Sequence, residues 1–161
     1  MTSLQTRPPD DPRNATSRFF DELFTSLRAG QILFSIHSRE PGRFIEALTP
    51  RAAAEGYVLD EQRFCDADDE RNRRAYHEWL DSVAASSAPT ISLVYDALPW
   101  LAEPGTRRRS LDVAHALSGA RRHILFLAQF SSDQGAVAGP SIEELAGVVR
   151  RLRFPLPDES A

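Results

Sequence analysis

Lysine is absent from this chain of 161 residues, and cysteine occurs once, at Cys65. A single cysteine permits neither an internal disulfide nor a thiolate metal cage. No apolar run approaches the roughly eighteen residues expected of a membrane span. The first residues are polar, carry Pro8, Pro9 and Pro12, and contain no apolar stretch that would mark a signal peptide. A soluble cytoplasmic protein is the expectation. The phosphate-cradling loop Gly-x-x-x-x-Gly-Lys-Ser/Thr is missing, and without lysine its cation has no source anywhere in the chain. The Gly-x-Ser-x-Gly nucleophile elbow is missing too.

What remains is charged and patterned. All nineteen basic residues are arginine, and twenty-three acidic residues bring the formal charge to −4. That balance argues against a general nucleic-acid binder, which is usually basic. The length suits a single domain able to bury a sizeable core.

Short apolar runs alternate with helical periodicity. Residues 1–14 read as a disordered leader, 15–158 as one domain and 159–161 as a tail. Phe20, Leu23, Phe24 and Leu27 share a helical face, with Ser17 as N-cap and Gly30 as the stop. The run 31–37 suits a buried strand. Phe44, Ile45 and Leu48 begin a second helix that Pro50 is expected to kink or split. A short strand at 57–59 opens an acidic loop, in which Asp68 or Asp69 is placed to cap a helix over 69–86. Strands at 91–95, 124–128 and 152–154 alternate with helices at 107–117 and 141–149, and 131–140 reads as a loop. Continuous apolar strands between helices predict an α/β three-layer sandwich: about five mostly parallel strands, P-loop or Rossmann-like, with helices on both faces.

The second half carries a resemblance. Asp96 ending a strand, Trp100, Glu103-Pro104, Arg109 to Leu111, Ile124 to Leu127 and Phe154 to Asp158 follow one another as PTISLVYDALPWLAEPGTRRRSLDVAHAL, RRHILFLAQF and RRLRFPLPD. This succession resembles an N-terminal domain of FtsH-like AAA ATPases of bacteria, cyanobacteria and plastids. The first half matches more loosely, over 27–37 and 42–48. The resemblance implies a degenerate P-loop-like fold whose ATPase proper lies in a downstream module. That module is not expected in a chain ending at Ala161, so no ATPase residue carries over.

Four groups of residues are candidates. Asp96, at a strand end, stands where a Walker B carboxylate would hold magnesium; its competing role is to organise the loop. Glu40 and Asp60 also follow predicted strands, and three carboxylates converging on one sheet edge would suit a divalent metal. Ordinary surface acids would not converge. Trp79, on a helix, reads as core; Trp100, in a proline-flanked loop, is the better candidate of the two for exposure and for anchoring a partner. Arg107, Arg108 and Arg109 fall in the first turn of their helix, where positive charge opposes the macrodipole and invites an acidic or phosphate-bearing partner; the alternative is a solvated face. His37, His77, His115 and His123 show no metal-ligand spacing.

The expected function is a non-catalytic protein-interaction or regulatory domain, with no cofactor. Its expected partner is a protein, a separately encoded AAA ATPase among the candidates, rather than a membrane or nucleic acid. The alternatives are nucleotide or magnesium-ligand binding without hydrolysis and, behind it, a metal-dependent phosphohydrolase or nuclease.

Overall fold

Among the described residues five parallel strands form one sheet in the order β2-β3-β4-β1-β5, with helices on both faces, as the strand–helix alternation predicts. The computed structural model describes residues 12–64, 68–95, 100–101, 103–117, 119–129 and 149–155. In chain order the elements are α1 (Pro12–Arg28), β1 (Leu33–Ser38), α2 (Pro41–Ala54), β2 (Val58–Arg63), α3 (Asp69–Ala85), β3 (Thr90–Tyr95), α4 (Pro104–Ala116), β4 (Arg122–Gln129) and β5 (Val149–Arg153).

The strand order explains the layers. From β1 the chain crosses to the far edge, then returns through β2, β3 and β4. Right-handed crossovers in opposite directions put their helices on opposite faces. Accordingly α1 and α2 cover one face, where Phe20, Leu23, Phe44 and Leu48 pack on Phe34, Ile36, Leu93 and Leu125. The other face carries α3 and α4, where Tyr76, Leu80 and Val113 pack on Leu33, Val94, Ile124 and Phe126. The alternation of Phe34 and Ile36 with Leu33, and of Leu125 with Ile124 and Phe126, shows strands buried on both sides.

Aromatic rings join the layers. Phe44 stacks on Phe20 at 5.9 Å and meets Phe154 edge-on at 5.4 Å. Arg51 bridges α2 to α1, pairing with Asp21 at 2.7 Å and lying 5.6 Å over the ring of Phe20. Arg122 sits in the second layer, 4% exposed, and donates to the carbonyls of Val83 and Ser86 at the end of α3. The Val83 carbonyl also accepts from the Ser86 amide at 3.4 Å, so the guanidinium adds to the C-terminal cap of α3.

Several boundaries differ from expectation, for local reasons. The first helix starts at Pro12, within the stretch expected to be disordered; proline is well tolerated in a first helical turn, and Ser17 lies inside the helix instead of capping it. α2 runs unbroken through Pro50, which lies on its exposed side. Asp68, not Asp69, caps α3, its carboxylate accepting from the amides of Glu70 and Arg71 at 3.1 and 3.4 Å. Val149, expected to end a helix, begins β5 and pairs with Leu33. The expected leader residues before Pro12, the loop at 131–140, the helix residues 141–148 and the tail lie outside the described residues.

Candidate functional site at the C-terminal edge of the sheet

Because all five strands run parallel, Ser38, Arg63, Tyr95, Gln129 and Arg153 end along one edge. Ligands of open α/β sheets bind there, and a phosphate loop would join β1 to the next helix. Here that connection consists of Arg39 and Glu40 alone. Glu40 occupies the N-cap position without a capping hydrogen bond from its side chain. Its own amide donates to Ser38 Oγ at 3.1 Å. Pro41, the first helical residue, has no amide proton, and Arg43 and Phe44 give theirs to the Glu40 carbonyl at 3.1 and 3.3 Å. An anion nest needs successive free amides and tolerates no fixed negative charge beside them. This turn supplies few of the first and a carboxylate of its own.

One cation near the turn is committed elsewhere. Arg43 lies 3.7 Å from Glu40, donates to the Pro155 carbonyl at 3.0 Å and sits 5.0 Å over the Phe154 ring. It therefore fastens the exit of β5 to the start of α2.

The three candidate carboxylates fare differently. Glu40 does follow a strand and lies at the edge. Asp60 does not: the strand expected to end at 59 continues to Arg63, so Asp60 sits in mid-strand beside Ser92. Its two carboxylate oxygens accept from Trp79 Nε1 at 3.3 Å and from Gln62 Nε2 at 2.9 Å. Moreover β1 and β2 stand three strand spacings apart, roughly 14 Å. One cation held at about 2.0–2.6 Å cannot bridge that gap, so Glu40 and Asp60 do not converge. Asp96 lies outside the described residues. Among the described residues no group of three His, Cys, Asp or Glu side chains is placed to hold a metal ion.

Trp100 corrects a second expectation. It is 7% exposed, with its ring 5.5 Å from Tyr76 and 5.8 Å from Phe64 and its indole nitrogen 3.4 Å from Asp69 Oδ1. Flanking prolines signalled a turn, but so large a ring gains most by covering a neighbouring aromatic cluster. The arginine run is corrected as well. α4 begins at Pro104, with Glu103 at its N-cap, so Arg107, Arg108 and Arg109 are not its opening residues and the conflict with the helix dipole fades. Arg109 pairs with Asp81 of α3 at 2.9 Å, whereas Arg108 is exposed. Arg73 pairs with Glu103 at 3.0 Å, and His77 Nε2 bonds Thr106 Oγ1 at 2.9 Å, so these polar groups lace α3 to α4.

At the opposite, N-terminal edge lies a feature that sequence reading missed. A cavity of about 440 Å³ opens between the ends of α1 and α2 and the start of β4. Arg28 and Glu55 pair across it at 2.7 Å. Arg121 donates to the Glu55 carbonyl at 2.5 Å and lies 4.7 Å over the Tyr57 ring. Behind them, His123 Nδ1 is 2.7 Å from the Gln31 carbonyl, and its Nε2 is 3.3 Å from the Tyr57 hydroxyl. A carbonyl only accepts, so Nδ1 carries the proton and Nε2 receives the tyrosine O–H. Burial holds the imidazole below its ordinary pKa, against the bond to Gln31, and the Arg121 charge adds to the lowering. No local spacing links residues 28, 57 and 123; only adjacency in the sheet and its helices brings them together.

The architecture is a P-loop or Rossmann-like three-layer α/β fold, and solved structures share it. DnaA from Aquifex aeolicus bound to AMPPCP matches with a TM-score of 0.51 and 13% identity, over 96% of this chain and 52% of that one. Replication initiator DnaA bound to AMPPCP and single-stranded DNA gives the same figures. A DNA replication initiation factor matches with a TM-score of 0.50 and 13% identity, over 93% of this chain and 50% of its own. The chain thus spans about half the length of these structures. No family model and no curated protein sequence matches it.

Proposed function

We propose that this chain is a non-catalytic interaction or regulatory domain on an AAA-type scaffold. One observation carries the reading: the two-residue turn after β1, with Glu40 at the N-cap and Pro41 at the first helical position, stands where a phosphate loop would have to be. A domain with that turn lacks the backbone donors for a triphosphate and sets a carboxylate against it. The resemblance to the N-terminal domain of FtsH-like ATPases supplies the partner class, a separately encoded AAA ATPase.

Two measurements test this together. Calorimetric titration with ATP and GTP, each with magnesium, is expected to give no heat at millimolar nucleotide. Co-purification of the tagged chain with an AAA ATPase is expected to recover a complex; a free monomer alone would overturn the reading.

Nucleotide binding without hydrolysis is the second reading, favoured by the AMPPCP held in two neighbours of the fold. Saturable heat with ATP would install it in place of the first. A metal-dependent hydrolase built on Glu40, Asp60 and Asp96 is the least favoured reading, since Glu40 and Asp60 stand too far apart to share an ion.

A further inference from the structure

The cavity at the N-terminal edge combines three properties that select a ligand chemistry. Its volume of about 440 Å³ falls within the roughly 300–1,000 Å³ of small-molecule pockets. Phe24 and Leu27 of α1 provide apolar lining. Its polar donors are cationic: Arg28 spends one nitrogen on the Glu55 carboxylate and Arg121 one on the Glu55 carbonyl. Each guanidinium has five N–H donors, so most of both forks remains for a ligand. The Tyr57 hydroxyl proton is already committed to His123, so that group offers a ligand only an acceptor. Donors of this kind fit an acceptor-only group.

Charge decides which acceptor. Two guanidiniums against the Glu55 carboxylate leave a single positive charge in excess. The C-termini of α1, α2 and α4 all reach this edge, each bringing a partial negative charge of about −0.5. A monoanion balances the side-chain excess, and the helix ends, which oppose any anion, oppose a phosphate dianion about twice as strongly. The Arg28–Glu55 pair is exposed, and such pairs contribute little, so an incoming carboxylate can displace Glu55 cheaply.

We propose that this cavity binds a small monocarboxylate with an apolar or aromatic body, its carboxylate held by Arg28 and Arg121 and its body laid on Phe24 and Leu27. The site is separate from the strand edge discussed under function, and it stands whether or not that reading does.

Phenylbutyrate is a suitable probe, with its uncharged amide and inorganic phosphate as controls, titrated calorimetrically into the full chain. Saturable binding is expected for the carboxylate alone. Arg28→Gln and Arg121→Gln, both at exposed positions, should each weaken it by roughly tenfold or more, as expected for loss of a charge-assisted hydrogen bond. Amide NMR shifts should concentrate at Gly30, Tyr57 and Gly119. The proposal is overturned by equal binding of the amide or of phosphate, or by unweakened binding in the double variant. Absence of binding across phenylbutyrate, hexanoate and octanoate overturns it too.

Discussion

Glu40 and Arg43 lie 3.7 Å apart across the opening turn of α2, and the arginine reaches on to the Pro155 carbonyl. Acid and base thus face each other where a nucleotide-binding domain of this fold would need open backbone amides. The arrangement ties the last strand to the first crossover helix.

Arg43→Ala removes a charge-assisted hydrogen bond, a contact with the Phe154 ring and a weak ion pair. Together these are worth about 2 kcal/mol. A urea midpoint lowered to that extent, with unchanged m-value, is the expected result. Glu40→Ala alone should not create magnesium-ATP binding, because Pro41 still withholds its amide; calorimetry checks this.

Asp68→Ala should cost about 1 kcal/mol through loss of the α3 cap. Asp69→Ala should lose less at the helix end. Comparing the two unfolding midpoints distinguishes the cap from its acidic neighbour.

Acidification should destabilise the fold through buried histidines. Burial, with the Arg151 charge behind it, holds His37 below the ordinary 6.5, and burial lowers His123 as well. A folded-state pKa below the unfolded one means that the unfolded chain takes up protons first as pH falls. The stabilisation is therefore full above about 6.5 and is lost as pH drops through the folded values, by at most about 1.4 kcal/mol per pH unit for each group. Denaturation midpoints at successive pH values should show this slope, and His123→Asn should flatten it.

Trp79 and Trp100 are 8% and 7% exposed. Tryptophan emission should accordingly be blue-shifted and poorly quenched by acrylamide. Trp100→Ala, which opens the cluster with Tyr76 and Phe64, should cost about 3–5 kcal/mol. Strong quenching would restore the exposed anchor that the proline-flanked loop suggested.

The legible part of this protein was periodic. Leu23, Phe24 and Leu27 at helical spacing, and aliphatic runs such as 91–95 and 124–127, report burial directly, because local geometry puts every third or fourth residue of a helix on one face. Ends were less legible. Residues 60–63 mix acid, amide and arginine, yet form the continuation of β2, because an edge strand needs only one paired side and one covered face. Trp100 followed the same logic: Pro99 and Pro104 flank its stretch of sequence, but its neighbours in space are rings of α3 and the segment before it.

The doubly covered parallel sheet, the missing phosphate loop and the lack of a lysine follow from the order and kinds of residues, which carry periodicity and chemistry without any knowledge of contacts. Convergence is another matter. That Glu40, after β1, and Asp60, in β2, are separated by two strands, while Arg28, Tyr57, Arg121 and His123 meet around one cavity, depends on strand order. Strand order comes from the packing of whole helices against whole faces, and no local spacing encodes it.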